Sequence, residues 1–369
     1  MKIGVLTIHD TFSIGATLQA YALCRKLSEM GHEPELIAYS PEYLYSIYDA
    51  RVIGIQEDLK STVRSFFAYK RNAEMKKKFI EFKERFHPPM TTRYYRKEEV
   101  KQNPPQVDAY VCGSDQIWNP EHIMYDDTFF CGFEKRLVPK VAYAASIGLD
   151  ELEEKDVAFL KRHCKNMTAI GVREDTAVTQ LREMGFSAVQ NIDPTLLYDR
   201  DVWKELEVPV TQKLPSKYIL YYPLSENSIE YELLPLVKAY TGLPCVVISP
   251  SLRGYKHADY QICCAGPQEY LYLFDNAEVV FTNSFHALSF SIIFEKKSVL
   301  YEHKTRNSRL ESLLRLVNLE ERLVRTVEEF KVKDWKTIWR KGYIGCKEII
   351  WKEQKQADIY LKEALSECK

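Results

Sequence analysis

The chain has 369 residues, of which 46% are hydrophobic and 12% aromatic, enough apolar side chains for a core, which excludes a wholly disordered protein. Its 51 Lys and Arg residues nearly balance its 52 Asp and Glu residues, so the average charge does not indicate a nucleic-acid partner. No stretch approaches the run of about 18 apolar residues that spans a membrane. The nine scattered cysteines lack a Cys-x-x-Cys spacing and are typical of reduced thiols. We therefore expect a cytoplasmic protein of about two domains.

The first half of the chain has the pattern of an α/β domain. An apolar run at residues 2–8 predicts a strand, apolar residues then recur at helical spacing from Ala16 to Met30, and residues 35–39 predict a second strand. This β-loop-α-β unit is typical of the start of a parallel sheet. Residues 57–86 predict a helical insert rich in Lys and Arg. Further strands are predicted at 107–112, 140–145, 169–172 and 187–192, with helices at 151–163 and 174–184.

The alternation of strands and helices restarts after residue 215. Strands are predicted at 218–222, 245–248, 279–282 and 298–301, with helices at 229–241, 267–275, 284–294, 308–318 and a long terminal helix at 335–366. We therefore predict two doubly wound, Rossmann-like domains that face a cleft, at residues 1–186 and 187–330, followed by a helical segment at 331–369. Folds of this class bind ligands at the carboxyl ends of their strands.

Candidate functional residues follow the strands of the second half. His286 falls in the first turn of a helix directly after a strand, where an imidazole can give or take a proton near neutral pH. Lys304, Arg306 and Arg309 lie within six residues after the next strand, and this local positive charge indicates either an anion site or a solvated basic loop.

Further candidates follow the strands of the first half. Arg173 begins an Arg-Glu-Asp run at the end of a predicted strand. This run is either a charge cluster at the helix start or places a cation, unfavourable there, against a partner such as a substrate carboxylate or phosphate. Asp115 lies in the Gly- and Ser-containing loop 113–116 and serves either as a base or sugar-hydroxyl acceptor, or as a residue that stabilises its own turn. Trp118 either stacks on a sugar or packs in the core. The histidines show no metal-ligand spacing, so we expect no metal.

Six blocks of the sequence together resemble the polysaccharide pyruvyl transferase family, and they occur in the family's order. They are GATLQAYAL at 15–23, GSDQIWN at 113–119, GVRE at 171–174, DPTLL at 193–197, SFHA at 284–287 and NSRL at 307–310. The resemblance implies a fold like that of the two-domain glycosyltransferases of GT-B type. It also implies phosphoenolpyruvate as the donor and a pair of hydroxyls on a glycan as the acceptor, joined as a cyclic ketal.

The resemblance and the loop positions together predict a set of site residues. We expect residues 1–186 to form the acceptor side of the cleft and residues 187–330 the donor side. We expect His286 and Asp115 to be catalytic. Donor-binding residues are predicted to be Arg173, Lys304, Arg309, Ser284 and Asn307, and acceptor-binding residues to be Ser13, Gly15, Ser114, Gln116 and Trp118. Many members of the family carry Arg where Ser284 stands, so Arg306 or Arg309 is expected to supply that charge. No cofactor is expected beyond phosphoenolpyruvate as co-substrate.

The expected partners are phosphoenolpyruvate and a glycan or lipid-linked oligosaccharide of the cell surface or capsule, with no nucleic acid. The basic insert either touches the inner membrane face through Phe66, Phe67, Phe79 and Phe82 or packs as an amphipathic helix with a solvated face. Two other functions stay open at this point: a nucleotide-sugar-dependent glycosyltransferase of GT-B type, and a non-catalytic glycan-binding scaffold. Against the first, the sequence has no Gly-x-Gly-x-x-Gly and no pair of glutamates eight positions apart in the relevant segment.

Overall fold

The computed structural model describes residues 1–45, 59–224, 228–249, 255–302 and 307–366, without the side chains of residues 45 and 59–72. Two parallel sheets of six strands each occupy this part of the chain. The first contains β1 Lys2–Leu6, β2 Glu33–Leu36, β3 Ala109–Cys112, β4 Lys140–Ala145, β5 Ala169–Val172 and β6 Ala188–Gln190, in the order β2-β1-β3-β4-β5-β6. The second contains β7 Ile219–Tyr222, β8 Cys245–Ile248, β9 Tyr260–Ile262, β10 Val279–Thr282, β11 Lys297–Tyr301 and β12 Leu323–Val324, in the order β12-β11-β10-β7-β8-β9.

Helices connect the strands and cover both sheets. In the first half they are α1 Ile14–Glu29, α2 Glu42–Tyr45, α3 Leu59–Phe86, α4 Lys97–Gln102, α5 Glu154–Cys164, α6 Asp175–Glu183 and α7 Arg200–Lys204. In the second half they are α8 Ser228–Thr241, α9 Pro267–Asn276, α10 Phe285–Ile293, α11 Ser308–Leu316, α12 Val327–Val332, α13 Trp335–Lys341 and α14 Cys346–Ser366. Short 3-10 turns occupy Asp127–Phe130, Pro194–Leu197 and Glu320–Arg322.

The central strands explain the parallel arrangement. Strands β3 and β10 have the sequences AYVC and VVFT, and every residue of both is buried. Strands that are apolar on both faces need helices on both sides, which is the environment of a parallel sheet. The prediction of two doubly wound α/β domains is confirmed.

Each sheet has one point at which the order of the strands reverses. It lies between β1 and β3 in the first sheet and between β7 and β10 in the second. Such switch points open a crevice at the carboxyl ends of the strands.

Two predicted boundaries differ from the structure. Strand β6 pairs with β5, so the first sheet extends past the predicted domain boundary at residue 186. The terminal helix predicted over 335–366 is wrong as a single element, because the chain turns between α13 and α14. Gly342 and Gly345 there have φ of 59° and 80°, a left-handed conformation that glycine adopts without steric cost.

The last helix, α14, crosses back to the first domain. Tyr360 Oη donates a hydrogen bond of 2.7 Å to the carbonyl of Ala142 in β4, and Gln354 Nε2 donates one of 2.9 Å to the carbonyl of Leu196. Cys346, at its start, donates through Sγ to the carbonyl of Val317 in the second domain. The terminal segment therefore packs against both domains and links them.

The basic insert forms α3, and its apolar residues face the protein. Phe79 and Phe82 are fully buried, with their rings 5.7 Å and 6.0 Å from those of Phe12 and Tyr21. Of the two interpretations of the insert, Phe79 and Phe82 therefore fit the packed helix and not the membrane contact, because both side chains are part of the core. Phe66 and Phe67 lie outside the described side chains. No helix among the described residues is long and apolar enough to cross a membrane.

Candidate active site

A cavity of about 340 Å³ lies between the two domains at the carboxyl ends of the strands. It brings together residues that are far apart in the sequence, and seven of them were predicted: Ser13, Gly15, Asp115, Gln116, Ser284, His286 and Arg309. A larger cavity, of about 490 Å³, lies beside α7 and α14, but no predicted site residue lines it. The smaller cavity is therefore the candidate active site.

Two helices begin at this cavity, one from each domain. Ser13 precedes α1 and its Oγ accepts a hydrogen bond from the backbone N–H of Ala16, at 3.5 Å. Ser284 precedes α10 and its Oγ accepts one from the N–H of Ala287, at 3.4 Å. Both serines are therefore N-cap residues. Helix N-termini carry partial positive charge and unpaired N–H groups, and both favour a bound anion.

His286 lies where these two helices meet. It is the second residue of α10, and its ring packs against Gly15, the second residue of α1. A Cβ atom placed on Gly15 would lie 2.2 Å from His286 Nδ1, far inside van der Waals contact. The absence of a side chain at position 15 is therefore what lets the imidazole lie between the two helix starts.

A buried carboxylate supports His286 from behind. Asp193 Oδ2 lies 3.6 Å from His286 Nε2 and accepts a 2.8 Å hydrogen bond from Arg173 Nη1, while Oδ1 accepts two from Thr195. Burial alone would raise the pKa of Asp193, but His286 and Arg173 outweigh it, so the pKa lies well below its ordinary value. Asp193 is thus a charged, buried carboxylate that lies next to the imidazole of His286.

Arg173 lies behind the cavity and does not line it. Its side chain is 2% exposed, and its guanidinium lies 4.2 Å from the centre of the Phe285 ring. Arg173 was predicted to contact a bound donor. The structure instead buries its guanidinium between Asp193 and Phe285, away from the cavity wall. Arg173 is placed to hold Asp193, and through it His286.

Asp115 stabilises its own turn, as one of the two interpretations of the sequence predicts, and it also lines the cavity. Its backbone has φ of 71°, and Oδ1 accepts a 2.9 Å hydrogen bond from the N–H of Gln116. Burial would raise the pKa of Asp115, but the nearby charges of His286, Arg173 and Arg309 lower it below its ordinary value. Asp115 therefore presents a carboxylate to the cavity.

Arg309 reaches the cavity from the second domain. It is the second residue of α11, it is 6% exposed, and its Cδ would lie 3.5 Å from a Cβ placed on Gly148 of the first domain. Farther along the same helix, Ser312 Oγ accepts hydrogen bonds from Asp175 N–H and Gln190 Nε2, at 3.0 and 3.1 Å. Helix α11 is thus bound to the first domain, and this contact fixes Arg309 at the cavity.

Besides Arg173, three predicted site residues do not line the cavity. Ser114 is buried and its Oγ donates to the carbonyl of Ala144 at 2.7 Å, with Asp193 Oδ2 at 3.2 Å. Trp118 is fully buried and stacked on Phe130 with ring centres 4.9 Å apart. Both side chains make their contacts inside the first domain, so the structure does not place them at the cavity where the acceptor was predicted. Asn307 precedes α11 but is not a lining residue.

Two predicted cations, Lys304 and Arg306, lie outside the described residues. Other residues at the site were missed by the sequence prediction: Asp193, Thr11, His122, Tyr222 and Tyr270. Asp193 had a usable signal, since it directly follows a predicted strand and belongs to the DPTLL block. Thr11 and His122 lie in loops, Tyr222 ends β7 and Tyr270 lies on α9. How these elements approach the cavity depends on how the two domains pack.

A family model of polysaccharide pyruvyl transferases matches residues 14–305. The chain belongs to the polysaccharide pyruvyl transferase family. Among solved structures, it is similar to UDP-GlcNAc 2-epimerase from Methanocaldococcus jannaschii in complex with UDP-GlcNAc and UDP, with 12% identity, a TM-score of 0.50, and coverage of 93% of this chain and 94% of that chain. It is also similar to a putative UDP-N-acetylglucosamine 2-epimerase from Listeria monocytogenes, with 11% identity, a TM-score of 0.51, and coverage of 96% of this chain and 90% of that chain. No curated protein matches the sequence.

The structural likeness, at such low identity, shows the fold and nothing of the substrate. The GT-B-like arrangement of two Rossmann-like domains is consistent with it. The structure shows where the sequence blocks that resemble this family lie relative to the cavity. The blocks that begin at Gly15, Gly113 and Ser284 each place residues in the cavity wall, and those that contain Arg173 and Asp193 form the layer behind it.

Proposed function

We propose that the protein transfers a pyruvyl group from phosphoenolpyruvate to two hydroxyls of a cell-surface glycan, and forms a cyclic pyruvate ketal. The observation that carries this proposal is the position of His286, between two helix N-termini and 3.6 Å from the buried carboxylate of Asp193. An anionic donor is favoured by the helix starts, and a proton donor next to it is what an enol substrate requires.

Phosphoenolpyruvate carries a carboxylate and a phosphate, so its site must offset about three negative charges. The N-termini of α1 and α10 and the guanidinium of Arg309 supply part of this. Hydrogen bonds to charged groups contribute about 1.5–3 kcal/mol each. The sequence adds Lys304 and Arg306 just before α11, as further cations for the donor. Arg309 takes the place of the arginine that many members of the family carry at position 284.

The reaction consists of one proton transfer to carbon and two C–O bond formations. Protonated His286 gives its proton to C3 of phosphoenolpyruvate, which becomes the methyl group, and an acceptor hydroxyl oxygen bonds to C2. The C2–O bond to phosphate then breaks, and the second hydroxyl bonds to C2 to close the ketal. One hydroxyl proton restores protonated His286 and the other leaves with phosphate. Asp193 balances the imidazolium charge, and Asp115 accepts a hydrogen bond from the attacking hydroxyl.

The proposal is tested by following phosphorus NMR signals of phosphoenolpyruvate with the purified full chain and a panel of oligosaccharides. We expect inorganic phosphate to appear when both donor and a suitable oligosaccharide are present, and the saccharide to gain a methyl signal. UDP-, GDP- and CMP-sugars serve as alternative donors. Consumption of a nucleotide sugar without consumption of phosphoenolpyruvate would overturn the proposal in favour of glycosyl transfer. Failure of phosphoenolpyruvate to bind at all would also overturn it.

A further inference from the structure

The cavity has a charged end and an uncharged end, because its lining residues come from different strands. Asp115 and Gln116 follow β3, which pairs with β4 on one side of the first sheet. Arg309 follows β11, which lies on one side of the second sheet. The approach of Arg309 to Gly148, which follows β4, shows that these sides of the two sheets face each other. Asp115, Gln116 and Arg309 define the charged end.

The opposite side of each sheet supplies the uncharged end, defined by Ile8, Thr11, Leu44, Tyr222 and Tyr270. Ile8 and Thr11 follow β1, Leu44 follows β2, Tyr222 ends β7, and Tyr270 lies on α9 after β9. Helix α9 contacts both α1 and α3, so this side of the second domain lies against the same side of the first. None of these five side chains carries a formal charge. His286 lies between the two ends, against Gly15.

Two hydroxyls at the uncharged end have no hydrogen-bond partner among the described residues. Tyr270 is 1% exposed and Thr11 is 7% exposed, yet neither Tyr270 Oη nor Thr11 Oγ1 is paired. The ring of Tyr270 is held by Tyr222, Phe274 and Phe290, with centres 5.2, 4.5 and 5.6 Å away. Buried polar groups in native proteins nearly always have partners, and an unpaired one in a cavity wall points to a ligand.

The chemistry of such a ligand follows from the lining. Burial raises the pKa of Tyr270 well above its ordinary value, so its hydroxyl stays neutral and donates a hydrogen bond. Of the charged groups nearby, Lys83 on α3 and Arg93 both pair with Asp10 in the loop after β1. An uncharged pyranose fits this environment, because it presents apolar C–H faces to aromatic and aliphatic side chains and hydroxyls to hydroxyls.

We propose that the uncharged end binds the acceptor as an uncharged saccharide, with Tyr270 Oη and Thr11 Oγ1 hydrogen-bonded to its hydroxyls. This inference rests on the proposed function, in which phosphoenolpyruvate occupies the charged end, and His286 and Asp115 act where the two substrates meet. It replaces Ser114, Gln116 and Trp118 with Thr11 and Tyr270 as acceptor-binding residues, since Gln116 lies at the charged end. It also makes the hydroxyls of Thr11 and Tyr270 determinants of acceptor specificity.

The test uses the full chain with the single variants Tyr270→Phe and Thr11→Val, which remove the hydroxyls and keep the shapes. The probes are methyl glycosides of glucose, galactose and N-acetylmannosamine, beside glucuronic acid and glucose 6-phosphate, each followed by saturation-transfer NMR with phosphoenolpyruvate present. We expect at least one uncharged glycoside to bind the wild type more strongly than the acidic sugars. Each variant should weaken that binding about tenfold, since one hydrogen bond is lost.

A matched control is Tyr218→Phe in the same domain. Tyr218 is 2% exposed like Tyr270, but its hydroxyl donates to the carbonyl of Leu273 at 2.8 Å. Tyr218→Phe should lower the Tm and leave saccharide binding unchanged, whereas Tyr270→Phe should leave the Tm unchanged or higher and lose saccharide binding. Both should bind phosphoenolpyruvate like the wild type, which separates this inference from the proposed function.

Three results would overturn the inference while phosphoenolpyruvate binding persists. The first is that no uncharged glycoside binds, the second is that the acidic sugars bind better, and the third is that glycoside binding survives in Tyr270→Phe and Thr11→Val. Loss of phosphoenolpyruvate binding in the wild type would instead refute the proposed function.

Discussion

At the charged end of the cavity, Arg309 is brought close to Asp115 by a helix that is bound across the cleft, and a compensated ion pair of Arg173 and Asp193 lies behind it. At the uncharged end, Tyr270 and Thr11 line the cavity, and their hydroxyls have no hydrogen-bond partners among the described residues. Unpaired polar atoms are not confined to that end, since His286 Nε2 and Arg173 Nε also lack hydrogen-bond partners among the described residues. What distinguishes the two ends is therefore their charge. Under the proposed function, the charged end receives the anionic donor and the uncharged end receives the acceptor.

The largest effect is expected at the group between the two ends. His286→Ala should lower turnover by about 10²–10⁴-fold, because a general acid–base contribution is lost. Phosphoenolpyruvate affinity should change little, since the helix N-termini and Arg309 stay in place. Steady-state phosphate release and calorimetric titration measure the two quantities separately. Near-normal turnover in this variant would show that the imidazole does not take part in the chemistry.

The next effect concerns the ion pair behind the charged end. Arg173→Met should reduce the free energy of unfolding by about 3–5 kcal/mol, because Asp193 would remain as a buried charge without its partner. Arg315→Met removes an arginine from Asp175, a pair whose side chains are about 40% exposed, and should cost about 1 kcal/mol or less. Denaturant unfolding compares the two variants. Equal losses would contradict the distinction between buried and exposed pairs.

Gly15→Ala tests whether the space beside the imidazole is needed. The added Cβ would meet His286 Nδ1 at 2.2 Å and displace the ring, so we expect turnover to fall about 10²-fold. Stability should fall by up to about 2 kcal/mol, because overpacking a buried site costs about 1–3 kcal/mol and alanine gains at most about 1 kcal/mol over glycine in a helix. The double variant Gly15→Ala/His286→Ala should be no slower than His286→Ala alone. A further loss in the double variant would show that Gly15 acts through something other than His286.

The smallest effect concerns His9, which lies in the loop behind the uncharged end. Burial lowers its pKa to about 4, and it is held in the neutral form with Nδ1 3.0 Å from the carbonyl of Thr7. Between pH 6.5 and pH 4 the unfolded chain binds a proton at this residue and the folded chain does not, so stability falls as the pH falls. We expect His9 to contribute about 1 kcal/mol per pH unit to this slope.

Unfolding curves at several pH values test this expectation. The slope of the unfolding free energy below pH 6.5 should be smaller in His9→Gln than in the wild type. Burial also lowers the pKa of His87, to about 3, and the His9→Gln variant should retain that second contribution. Identical pH profiles for wild type and variant would contradict a neutral, buried His9.

The sequence predicted the elements of the site better than their roles. His286, Ser284, Ser13 and Gly15 were found because residues after parallel strands meet at one edge of each sheet, which is a local rule. Trp118 and Ser114 obey the same rule, yet their side chains turn into the first domain. Whether a side chain after a strand faces the cleft or the core depends on tertiary packing, and the sequence pattern does not contain it.

The roles of Arg173 and Tyr270 show why the remainder needed the structure. Arg173 was noticed for being unfavourable at a helix start, and it does have an anionic partner, but that partner is Asp193 of the same domain. Tyr270 has no signal in the sequence, because a tyrosine at helical spacing is typical of a core. Its importance arises from a hydroxyl left unpaired at a cavity, which only the packing of the two domains creates.

The most direct test of the account is a calorimetric titration of phosphoenolpyruvate into the wild type, Arg309→Gln and Tyr270→Phe, with inorganic phosphate and UDP as reference ligands. The division of the cavity predicts that the wild type binds phosphoenolpyruvate and that Arg309→Gln weakens this binding at least about tenfold, since a charge-assisted contact is lost. Tyr270→Phe should bind it like the wild type. Equal affinities in wild type and Arg309→Gln, or an equal loss in both variants, would contradict a charged donor end separate from an uncharged acceptor end.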